Sequence, residues 1–188
     1  MALREVGWAL ITAAAIGLGG RPAQGALCVW LNPDRDIRAF FPGAGSYLTE
    51  VRAPSREQVA VIERRVGGRL DPDENEFRFY RVQKSRRAVG TVLTHQARGR
   101  YGAVQVVVAI AADGKVIGVA VQRHREPVNL NQAEFLRQFR GKTADEPIAV
   151  GKDIDPIKGH ETSSQAVAIS VKKILVIHDV LGRQEGSR

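Results

Sequence analysis

Three consecutive hydroxyl residues, Thr162, Ser163 and Ser164, open an apolar-periodic run, and Lys158 and Gly159 stand just before them. A helix starting there presents unpaired N–H groups and the positive end of its dipole, so amides, hydroxyls and Lys158 together suit a phosphate. The same residue types serve as ordinary helix caps. Glu161 opposes the phosphate, because it sets a carboxylate where an anion would arrive. A second group is the turn His124-Arg125-Glu126-Pro127. His124, His160 and Glu161 also offer imidazole and carboxylate ligands to a metal ion, although no helical His-x-x-x-His pair and no cysteine partner accompanies them. Ser163 and Ser164 lack the Gly-x-Ser-x-Gly surroundings of a hydrolase nucleophile, which sets hydrolysis aside.

These residues must be positioned by the elements around them. Residues 36–41 read as a short helical turn ended by Pro42-Gly43. Ser55-Arg56-Glu57-Gln58 is a capping-box pattern that opens a helix with the stripe Val59, Ile62 and Val66, stopped by Gly67-Gly68. An acidic turn, 71–76, leads into alternating segments near 77–82, 88–94, 103–110 and 116–122. Asp113-Gly114 marks a hairpin between the last two, so residues 77–122 predict a four-stranded antiparallel meander. Asn131 with Glu134 predicts a capped helix carrying Phe135, Leu136 and Phe139. Residues 143–161 read as a loop of a length that is usually functional. The loop empties into a long helix with the stripe Val167, Val171, Ile174, His178 and Leu181.

The chain has 188 residues, 44% hydrophobic and 26% charged, which fits one globular domain and excludes disorder and multi-span membrane architecture. A net charge of +8 suits an anionic cofactor, partner or surface, but the basic residues are scattered and form no nucleic-acid module. One cysteine, Cys28, excludes an intramolecular disulfide. Arg4, an apolar run from Val6 to Gly20 and the small residues up to Gly25 have the three parts of a secretory signal peptide, too short for a membrane span. The expected organisation is a signal peptide at 1–25, a helical segment at 26–76, the principal domain at 77–182 and a tail at 183–188. The expected location is the periplasm or another exported compartment, with membrane contact only if the signal is uncleaved.

The stretch Gly151-Lys-Asp-Ile-Asp-Pro-Ile-Lys-Gly-His-Glu-Thr-Ser-Ser-Gln-Ala-Val167 resembles the C-terminal signature of the FMN-binding domain of flavin subunits in bacterial ion-pumping redox complexes and of many exported redox proteins. Asp155, Ile157, Gly159, Ser163, Ser164, Ala166 and Val167 fall in register with it. Earlier pieces agree in order. Asp113-Gly114-Lys115-Val116 followed by Gly118-Val119 is similar to the family's hairpin, and His124-x-Glu126-Pro127 resembles its turn beside the flavin. Phe135-x-x-Gln138-Phe139-x-Gly141-Lys142 resembles its following helix, and the whole resemblance covers about residues 87–181. The sequence departs from the family where a flavin transferase joins FMN to a threonine by a phosphoester. That position is Glu161, with His160 in place of the family's alanine, and Val128-Asn129 replaces a glycine after the Glu-Pro turn.

The resemblance implies an α+β domain with an antiparallel four-stranded sheet flanked by helices, acting in electron transfer rather than on a small substrate of its own. Three readings follow. In the first, FMN binds noncovalently, held by Glu126, Pro127, Lys158, Gly159, Thr162, Ser163 and Ser164, and exchanges electrons with a redox protein or membrane electron-transfer complex. In the second, the fold survives without flavin as a partner-binding or assembly module of such a complex. In the third, His124, His160 and Glu161 bind a metal.

Overall fold

The computed structural model describes residues 33–182. The proposed signal peptide and the tail lie outside them. The described chain runs α1 (Asp34–Phe40), β1 (Ser46–Arg52), α2 (Arg56–Val66), β2 (Phe77–Lys84), β3 (Arg87–Arg98), β4 (Ala103–Ala111), β5 (Val116–Arg123), α3 (Ala133–Arg137) and α4 (Glu161–Gly182). The five strands form one antiparallel sheet in the order β1-β2-β3-β4-β5. The expectation of an α+β antiparallel sheet holds, and the count of four strands is corrected to five. The additional strand, β1, lies inside the stretch read as helical. Its Leu48 and Val51 stay about half exposed, so it lacks the one-sided apolar alternation that marks a strand. It forms by pairing with β2 along its whole length.

Each face of the sheet buries its own apolar set. On the inner face Phe79, Leu93, Val106, Val108 and Ile110 meet α4 through Val167, Val171, Ile174 and Leu175. On the outer face α1 packs Ile37 and Phe41 against Tyr80, Val82, Val92 and Val107. Two glycines make this second contact close. A Cβ at Gly90 would strike the Phe41 ring, and one at Gly118 would strike the Phe40 ring.

The local signals of α2 act as expected. Ser55 and Gln58 complete the reciprocal capping box, and Gly67 closes the helix in the left-handed conformation at φ 76°. The N-terminal expectation for α3 differs. Asn131 does not cap that helix; its side chain bonds the backbone N–H and C=O of Val121 and ties the segment to β5. Residues 143–160 form an ordered connection. Lys142 pairs with Glu146 at 3.1 Å and Asp153 at 2.9 Å, and Asp153 accepts the amides of Ile148 and Ala149. At the far end of α4, Arg52 and Arg81 donate to the terminal carbonyls of Leu181 and Gly182, the favourable place for cations on a helix.

Candidate functional site

The start of α4 meets the turn after β5 and the β3–β4 hairpin. Glu126 is the common point, buried with 6% exposure. Its Oε1 accepts the Tyr101 amide at 2.9 Å, and its Oε2 accepts a hydrogen bond from the Ser163 hydroxyl. Gly99 leaves room for this carboxylate, since a Cβ there would collide with Glu126 Oε1. The sequence marked Glu126 and Ser163 separately, and the structure joins them. Both hydrogen bonds come from neutral donors, and the helix N-terminus adds its dipole.

Ser164 is also buried and occupied. Its hydroxyl accepts the Ile157 amide at 3.0 Å and donates to the His160 carbonyl at 2.9 Å, holding the preceding loop on the helix. Glu161 folds back over the helix start. Its Oε1 accepts the Gly159 amide at 3.0 Å, and its own amide together with that of Gly159 holds its carboxyl below the usual carboxylate range. Lys158, Gly159, Thr162 and Pro127 are exposed. Of the seven marked residues, the structure therefore unites Glu126 with Ser163, and joins Gly159 to the capping of α4.

This donor set can be tested against FMN. A phosphoester needs a hydroxyl at the position held by Glu161, and a carboxylate is none. A noncovalent phosphate needs the free amides and hydroxyls of the helix start, yet Gly159 N–H serves Glu161 and both buried serines serve protein acceptors. That narrows the side chains facing an incoming phosphate to the exposed Lys158 and Thr162. At the neighbouring turn, His124 Nδ1 is buried without a hydrogen-bond partner among the described residues. Among the described residues no three His, Cys, Asp or Glu side chains gather as metal ligands.

A second polar centre, which the sequence did not reveal, lies farther along α4. His95 bonds Ser170 through Nδ1 at 2.9 Å and Glu74 through Nε2 at 2.7 Å. Lys173 donates to both oxygens of Glu74, at 2.9 and 2.7 Å. Burial raises the Glu74 carboxyl, but hydrogen bonds from His95 and Lys173 outweigh it and hold the group at about 2. The available signal was Lys173, a lysine within the apolar stretch of the long helix. Its partner lies 99 residues away in sequence, beyond any local pattern.

An antiparallel sheet with one long helix across its inner face, whose first turn is fastened to a His-x-Glu-Pro turn, is the class of domain seen here. Similarity then narrows the class. The chain is 31% identical over 104 residues to the G component of the proton-translocating ferredoxin:NAD(+) oxidoreductase complex of Clostridium ljungdahlii, a stretch covering 50% of this chain and 56% of that protein. It is 27% identical over 146 residues to the G component of the Na(+)-translocating ferredoxin:NAD(+) oxidoreductase complex of Acetobacterium woodii, covering 71% of this chain and 70% of that protein. A third relative, the G component of the ion-translocating oxidoreductase complex of Cereibacter sphaeroides, is 23% identical over 122 residues, covering 58% of this chain and 56% of that protein. The match to the first relative spans little more than half of that protein's length. No protein-family model matches the chain. The resemblance read from the motifs is borne out, since these relatives are corresponding components of ion-translocating redox complexes. Among the described residues no helix is long and apolar enough to cross a membrane.

Proposed function

We propose that this chain works as a partner-docking component of a membrane electron-transfer complex, in the place its relatives take in theirs, and carries no covalently bound flavin. Similarity to components of three ion-translocating oxidoreductases supports the complex. The absence of covalent flavin rests on one observation: the Glu161 carboxylate is seated on the Gly159 amide at the point where the resembling family offers a hydroxyl. A net charge of +8 suits such a component to electrostatically steered docking on a charged redox partner.

The test is expression of the full chain beside a flavin transferase, followed by acid precipitation and a visible spectrum. The pellet is colourless, and the chain copurifies with membranes that carry an ion-translocating oxidoreductase. A yellow pellet, or loss of copurification, overturns the reading. The variant Glu161→Thr, made alone and with Lys158→Ser and His160→Ala, restores the acceptor hydroxyl, and acid-stable flavin absorbance appears in at least the triple variant.

A second reading, noncovalent FMN, is favoured by the unpartnered His124 Nδ1 at the turn which the resemblance sets beside the flavin. It predicts yellow colour released into the acid supernatant and lost with Thr162→Val. The exposed arginines Arg123 and Arg125 flank that turn, and in this reading they raise the flavin potential by favouring its anionic reduced form.

A further inference from the structure

The sheet splits beside β3. β2 and β3 pair from Lys84 and Arg87 to Tyr80 and Val92, and there the pairing stops. Phe77 and Phe79 continue alongside β1 only, opposite Arg52 and Glu50. β3 runs on to Arg98, paired through residues 93–98 with β4 on its other side. Six residues of β3, about 20 Å of strand, therefore present one edge with no strand beside it among the described residues. The acidic turn 71–76 stands off across the gap, and Glu74 reaches over to His95.

The gap encloses a cleft of about 550 Å³. Its lining comes from both faces of the sheet. Leu93, His95, Ile174 and Ile177 belong to the inner side, while Tyr80 and Thr94 belong to the outer side. A ligand bound on one face of a sheet touches one set of alternating side chains. A cleft lined by both sets has the form of a strand position, because an inserted strand sends successive side chains to opposite faces. Unpaired backbone along such an edge is also a template for strand addition.

Charge selects among strands. Asp71, Asp73 and Glu76 line the turn side and form no ion pair among the described residues, whereas Glu74 is already neutralised by Lys173. Arg78 and Arg98 stand on the outer rim. The turn side is thus a local acidic wall on a chain of net charge +8.

We propose that this slot receives an extended segment of a partner chain, which adds to β3 as a strand along residues 93–98 and turns lysine or arginine toward Asp73 and Glu76. The proposal rests on the docking role given above and names the surface that performs it.

The test uses the isotope-labelled full chain and a synthetic probe, Lys-Val-Thr-Val-Thr-Val-Lys, with a Glu-flanked version and a proline-interrupted version as controls. Amide shifts concentrate at residues 93–98, and the Asp73→Lys/Glu76→Lys double variant, which leaves the Glu74–Lys173–His95 contacts untouched, binds the probe about tenfold more weakly. Equal binding of the Glu-flanked probe, or shifts that avoid residues 93–98, overturns the proposal. The two readings fail separately. If the unmodified chain does not copurify with the redox complex, the docking role falls while the probe result still decides the slot. If it does copurify and the double variant does so equally well, the slot proposal falls alone.

Discussion

Two carboxylates, one buried and one nearly so, fasten other parts of the chain to α4, and they do so by opposite means. Glu126, at the first turn, takes its hydrogen bonds from a hydroxyl and a backbone amide. Glu74, near the middle, is tied to α4 by a lysine and bonded to a histidine, besides the Asp71 amide of its own turn. The first fastening depends on the direction of dipoles and the second on opposite charge. The difference shows in their surroundings. Glu126 sits where glycine and serine have cleared a close fit, whereas the Glu74 cluster borders an open cleft in the sheet.

The comparison is sharpest under substitution. Lys173→Met leaves Glu74 without its cation, and the protein loses about 3 kcal/mol of unfolding free energy by urea titration. On a Glu74→Gln background the same substitution costs much less, and equal costs in both backgrounds would break the ion-pair account. Acid provides the next largest effect. Because the folded carboxyl of Glu74 lies at about 2 and its ordinary value is 4.5, its stabilisation is full above about pH 4.5 and is lost as the pH falls through about 2. Stability measured across that window falls on the order of 2 kcal/mol more in the native chain than in Glu74→Gln. Glu126→Gln has the smallest effect, about 1 kcal/mol, since an amide oxygen still accepts from Tyr101 or Ser163. A loss as large as that of Lys173→Met would show that the first-turn fastening also depends on charge.

Legibility followed the distance over which each structural cause acts. The helix α2 was readable from Ser55, Gln58 and Gly67, which act within a turn or two. The β4–β5 hairpin was readable from Asp113-Gly114, where Gly114 has φ 85°. The β2–β3 turn carries no such sign, because Ser85 and Arg86 take positive φ without glycine. The strand β1 was hidden for another reason. Leu48 and Val51 point to opposite faces and remain exposed, so only the partner strand defines it. Asn131 read as a cap because caps and strand ties use the same side-chain groups. At the candidate site the motif named Glu126 and Ser163 separately, and the bond between them, which spans 37 positions, became visible only in the fold. Glu74 lies in a turn that read only as acidic, and nothing local joins it to His95 until α4 brings Lys173 and Ser170 to them.

The Glu161 carboxylate on the Gly159 amide also has a kinetic and thermodynamic meaning. A group tethered two residues from its binding position acts at an effective concentration of millimolar order or above. An anion arriving from solution at micromolar concentration competes for that amide with a carboxylate that is always close by. The Gly159 amide is thus supplied with an anion from within the chain. A single side-chain change at position 161 frees the amide.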